Sequence, residues 1–135
     1  MSSFQFAQIS SPDEIDILKG KESHFANFHY RYEPDTIYLL KKNFFLPKSH
    51  YLLAKDGEKF AGFCSLDTDW WEPDCFFLRE IFVMPEYHGQ KIGETFMNHM
   101  IEYARENSAI GIVTETAFEN IPMQKLCEKC GFQKW

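Results

Sequence analysis

Phe4-Gln5-Phe6-Ala7-Gln8-Ile9 alternates apolar and polar residues, the period of a strand with one buried face. Ser11, Pro12 and Glu14 then supply an N-cap, a proline at the first helical position and an acid at the third. They predict a helical stretch, and Pro34 heads a second one over about Asp35–Phe44. Tyr51–Lys55 and Lys59–Leu66 flank Asp56-Gly57, a strong short-range hairpin signal. The polar stretch "DTDWWEPDC" follows as a loop carrying two tryptophans, and Cys75–Val83 is long and apolar enough for a central strand.

Helical spacing returns with Ile92, Phe96, Met100 and Tyr103 on one face. Ile110–Thr116 is rich in β-formers and reads as the next strand. A short helix runs from Asn120, a good N-cap, to Gly131, a good residue just past a helix end. Phe132–Trp135 would begin one more strand. The order β-α-α-β-β-β-α-β-α-β describes a mixed α/β domain with hairpins at its centre, not a doubly wound parallel sheet.

The length of 135 residues and a hydrophobic content of 44% fit one domain over residues 1–135, and no repeat or linker divides it. Fourteen phenylalanines give a core large enough to dispense with disulfides. The net charge of −6 disfavours nucleic acid and anionic membrane surfaces and favours a cationic partner. No apolar run reaches the ~20 residues that span a bilayer. The start MSSFQFAQ lacks the apolar segment of a signal peptide, so a cytoplasmic location with reduced cysteines is expected.

Between the strand ending at Val83 and the helix near Ile92 stand Gly89 and Gly93. A strand that passes through glycines into a helix leaves the first N–H groups converging on one spot, with about half a positive charge from the dipole. Lacking Cβ atoms, glycines let a bulky phosphate approach those amides. The glycines alone leave two readings open, a phosphate cradle or an ordinary strand-to-helix loop. The spacing matches neither the Walker A loop nor the three-glycine dinucleotide fingerprint.

The wider stretch "LREIFVMPEYHGQKIGETFM" resembles the acetyl-CoA-binding motif of the GNAT superfamily of N-acetyltransferases. There a strand ends in Val-x-Pro and an Arg/Gln-x-x-Gly-x-Gly/Ala loop opens a helix. Val113–Ala117, Asn120 and "LCEKCGF" resemble the second family element, and the order of elements agrees over residues 3–135. The resemblance implies a mostly antiparallel central sheet, splayed at the cofactor site and flanked by helices. It implies that the loop His88-Gly89-Gln90-Lys91-Ile92-Gly93, with Glu94, holds the pyrophosphate of acetyl-CoA, the cosubstrate. On the strand Ile81-Phe82-Val83, backbone groups of Ile81 and Val83 would pair with the pantetheine arm, and Asn120 would contact it from the opposite side.

Three positions depart from the family pattern. His88 stands for Arg or Gln, Lys91 for the first glycine, and Cys127 for the tyrosine that protonates the departing thiolate. Cys127 is therefore the candidate acid, and Glu80 the candidate base that takes the proton of the attacking amine. Glu80 also reads as a strand-edge glutamate in a salt bridge. Period-two alternation would let only one of Arg79 and Glu80 face the site.

Trp70, Trp71 and Glu72, with Asp67, Asp69 and Asp74, could hold an ammonium group through ring faces and carboxylates, or form a solvated hairpin tip. "FHYRYEPD", residues 28–35, is a second candidate acceptor wall. Cys127-x-x-Cys130 lacks the further ligands of a zinc site, so no metal is expected. His24, His29, His50 and His99 read as structural or surface residues. The implied activity is acetyl transfer to a primary amine, foremost a small molecule, with a non-catalytic acyl-CoA-binding or partner-binding module as the alternative. The family sheet continues past Gly-Phe, whereas this sequence ends at Trp135. The strand partner of Phe132–Trp135 is thus expected to be missing: either the sequence is truncated there, or the open edge is covered, foremost by a second copy in a homodimer.

Overall fold

The structure, a computed structural model, describes residues 4–21, 34–68, 74–115 and 120–134. Among these, strands β1 (Gln5–Gln8), β2 (His50–Asp56), β3 (Lys59–Asp67), β4 (Cys75–Val83) and β5 (Gly111–Thr114) form one sheet in the order β1-β2-β3-β4-β5. The first four pair antiparallel and β4 pairs with β5 in parallel. Helices α1 (Pro34–Asn43), α2 (Ile92–Glu106) and α3 (Ile121–Lys129) flank it. This is the mixed, mostly antiparallel α/β architecture expected from the sequence.

Ser11 caps its helix by accepting from the Asp13 N–H at 3.3 Å, but the helix is a seven-residue 3-10 segment, Pro12–Leu18. Gly57, with φ +62°, is the first centre residue of the β2–β3 turn, because Asp56 already pairs with Lys59. The glycine is where a two-residue hairpin needs positive φ.

Both faces of β2 and β3 are covered, which is why their sequences read as nearly continuous apolar runs. Leu52, Cys64, Leu66, Leu78 and Ile81 pack beneath Phe96, Met97 and Met100 of α2 and Met123 of α3. Tyr51, Leu53, Phe63 and Phe82 pack on the opposite face against Ile15, Leu18, Ile37 and Leu40. Phe96 is fully buried; truncation of such a ring to alanine costs about 3–5 kcal/mol.

Two expectations need correction. Phe132–Lys134 lie outside any strand. Instead the Phe132 N–H donates to the Cys127 carbonyl at 2.9 Å and its ring packs on the α2–α3 core, so the chain folds back on its helix. The alternation assumed at Arg79-Glu80 is also broken. Ser65 pairs with Glu80 and Leu66 with Leu78, which leaves Arg79 as the extra residue of a bulge. Glu80 therefore shares the face of Phe82, and Arg79 reaches the same face to join Asp67.

Candidate active site

β4 pairs with β5 only over Cys75–Leu78, against Gly111–Thr114. Past Leu78, β4 has no β5 partner among the described residues. A cleft of about 710 Å³ opens there. Its floor is Ile81, Phe82 and Val83; Tyr87, His88, Gly89, Lys91, Ile92, Gly93 and Glu94 form one wall, and Asn120, Pro122, Met123, Lys125, Leu126 and Lys129 the other.

Local sequence explains each wall. Val83 runs through Met84 into a short 3-10 turn, Pro85–Tyr87, and then into Gly89 at φ +82°. The first α-helical bond beyond it is Thr95 N–H to Lys91 O at 3.0 Å. The amides of Ile92, Gly93 and Glu94 thus precede the hydrogen-bonded ladder and stand at the cleft rim, as an anion cradle requires. On the other wall Asn120 caps α3, its side-chain oxygen accepting from the Met123 N–H at 3.2 Å.

The two glycines have different tasks. Gly89 makes the left-handed turn. Gly93 makes room, since a Cβ there would sit 3.3 Å from Leu126 Cδ2 across the cleft. Lys91, standing where the motif has glycine, adopts the left-handed conformation at φ +66° and ψ +19°. His88 is exposed, and its Nε2 donates to the Val83 carbonyl at 2.8 Å. The side chain that replaces the motif's Arg or Gln therefore ties the loop to the strand end.

Charge is concentrated at one end. Lys129 Nζ lies 2.9 Å from Glu94 Oε2, joining the last turn of α3 to the first turn of α2. The hydrogen bond to Lys129 holds the Glu94 carboxyl below its ordinary value.

The candidate acid and base lie beside the cleft, not on its lining. Glu80 is 3% exposed and its N–H bonds the Ser65 hydroxyl at 3.1 Å. Cys127 is buried in the α2–α3 core, and burial is the main cause that pushes its thiol pKa up. Trp70, Trp71, Glu72 and Asp69 lie outside the described residues, as do His24, His29 and residues 28–33 of the second candidate wall. Asp67 is not available as a loop carboxylate. It is a buried β3 residue held by Tyr51 OH at 2.6 Å, Arg79 Nε at 2.5 Å and Asn43 Nδ2 at 3.3 Å.

Sequence reasoning missed this network, and it missed Lys125 and Lys129 as cleft residues. Their signal was only the i,i+4 spacing of two lysines on a short helix. His50 is buried, its ring stacked 3.9 Å from Tyr103 and its Nε2 3.0 Å from that of His99.

A family model described as "Acetyltransferase (GNAT) family" matches residues 17–132. The chain belongs to this family. A protein of Bacillus subtilis (strain 168), named as a candidate ribosomal protein bS18-alanine N-acetyltransferase, is 33% identical over 87 residues, 64% of this chain and 56% of its own length. The chain thus spans about half the length of that curated relative. Two solved structures share the fold. The ribosomal-protein-S18-alanine N-acetyltransferase from Escherichia coli has a TM-score of 0.78 at 16% identity, with 98% of this chain and 79% of that chain covered. The aminoglycoside N-acetyltransferase AAC(6')-Iy, solved with CoA, has a TM-score of 0.76 at 13% identity, with 99% and 90% covered. In this GNAT chain the cleft and the glycine-bearing helix start coincide with the motif that the sequence suggested.

Proposed function

We propose that this chain is an acetyl-CoA-dependent N-acetyltransferase, moving the acetyl group to a primary amine by direct attack within a ternary complex. The observation that carries the reading is the cleft between the end of β4, the start of α2 and α3, with the first amides of α2 at its rim. Those amides hold the pyrophosphate, backbone groups of Ile81 and Val83 on the cleft floor line up the pantetheine arm, and Asn120 flanks it from α3. Acetyl-CoA supplies an activated thioester. The protein's part is to hold the thioester beside the bulge, and Glu80, one residue before the cleft floor, takes the amine proton directly or through water. Cys127 occupies the motif's acid position, but its burial and raised pKa favour a minor role. A thiolate is a good enough leaving group to depart without it.

The acceptor is a small-molecule amine in the leading reading, supported by the acidic balance of the chain. A protein α-amino group is the second, supported by the Bacillus relative at 33% identity. Thiol release from acetyl-CoA, measured with polyamines, aminoglycosides, amino acids and alanine-starting peptides, decides between them. CoA binding without thiol release from any amine would leave a non-catalytic binding module. The homodimer expected from the sequence would include the C-terminal region from Phe132 onward in its interface. Light scattering at micromolar concentration tests it, and a monomer ends that expectation.

A further inference from the structure

Glu94 is an unexpected residue for its place. It puts a carboxylate in the first turn of α2, at the rim where the proposed function seats a pyrophosphate. Two anions at one helix start repel each other, so the site needs a way to accommodate both.

Lys129 supplies one. It sits in the last turn of α3, nine residues past the Asn120 cap, and reaches across the cleft mouth to Glu94. Asn120 marks the pantetheine end of that wall, so Lys129 marks the phosphate end. The pair is open to water, with Lys129 62% and Glu94 28% exposed, and is therefore readily exchanged. Lys91 and Lys125 line the same cleft and leave its mouth cationic once Glu94 turns away.

We propose that Glu94 takes the place of a cofactor phosphate beside Lys129, and that Lys129 exchanges Glu94 for that phosphate when CoA binds. The inference rests on the acetyl-CoA reading and adds a residue that sets affinity for phosphate-bearing carriers over bare pantetheine. Glu94 then competes with the ligand: its charge weakens binding, and removing it strengthens binding.

The test is calorimetric titration of the full chain, its Lys129→Gln and Glu94→Gln variants, and the double variant. The ligands are CoA, dephospho-CoA (which lacks the ribose 3′-phosphate) and pantetheine. Lys129→Gln should weaken CoA about three- to tenfold. Glu94→Gln should tighten it by a similar factor, and rising salt should shrink both effects. Pantetheine affinity should move less than twofold in every variant. A Lys129 effect that vanishes with dephospho-CoA assigns the contact to the 3′-phosphate, and one that persists assigns it to the pyrophosphate. Either outcome supports the exchange.

The exchange is overturned if Lys129→Gln leaves CoA binding unchanged, if Glu94→Gln weakens it, or if pantetheine loses as much as CoA. The last result would mean that the ion pair only shapes the cleft. Thermal midpoints of the unliganded variants confirm that each is folded. If the parent chain fails to bind CoA, the acetyl-CoA reading falls with the exchange. Binding by the parent without a response at Lys129 overturns the exchange alone.

Discussion

Arg79 Nε lies 2.5 Å from Oδ2 of Asp67, and the pair is nearly enclosed, Asp67 2% and Arg79 16% exposed at the side chain. The contact exists because the bulge at Arg79 turns it onto the face that Asp67 already occupies. It ties the bulged residue of β4 to the end of β3. Asp67→Ala should destabilise the fold by about 3–5 kcal/mol, because it leaves a buried cation without its partner. Urea unfolding measures this, and a loss under 1 kcal/mol would show that the pair is dispensable.

Gly93→Asp should abolish the rise in thermal midpoint that CoA gives any protein that binds it in the native state. The new side chain would press on Leu126 and add negative charge at the rim. Gly93→Ala, which adds only bulk, should keep a reduced shift. An undiminished shift in the aspartate variant would refute the cradle.

Lys91 holds a left-handed backbone at the N-cap of α2 without a side-chain cap bond. Such a conformation costs a residue with a Cβ roughly 1–2 kcal/mol, and glycine avoids it. Lys91→Gly should therefore raise the thermal midpoint of the unliganded chain by a few degrees. A fall would mean that the lysine stem contributes more than its strain costs.

Glu80→Gln should lower turnover about 100-fold or more while CoA affinity stays within twofold, the signature of a lost base. Cys127→Ser should leave turnover within a few-fold. Equal pH-rate profiles for Glu80→Gln and parent would remove the glutamate from the mechanism. Complete loss in Cys127→Ser, with CoA still bound, would restore the thiol as the acid.

His50 should make stability depend on pH. Burial, and then the neighbouring His99, lower its pKa to about 4 from an ordinary 6.5. The unfolded chain therefore takes up a proton at His50 before the folded chain does. Stability from this group is intact above about pH 6.5 and is lost as pH falls toward 4. Thermal midpoints across that window should drop for the parent and drop less for His50→Phe, which keeps the stack on Tyr103. Equal slopes would clear His50.

The residues alone determined the elements whose causes are local. Asn120 and Ser11 accept from the amides that a cap must satisfy, and Gly89 turns left-handed where the loop enters α2. The apolar period of Ile92, Phe96 and Met100 gave the buried stripe of α2. The motif located the cleft because its glycines and strand end are contiguous in the chain. Tertiary structure decided the rest. A bulge depends on the register of a partner strand, so Arg79 and Glu80 could share a face without any sign in their own sequence. Gly93 answers to Leu126, and Glu94 to Lys129, each over 30 residues away. Phe132 lies outside a strand because its N–H finds the Cys127 carbonyl and its ring finds the core. Local hydrogen bonding and hydrophobic period are written along the chain, whereas the partner of a buried charge or of a missing Cβ is chosen only when distant segments meet.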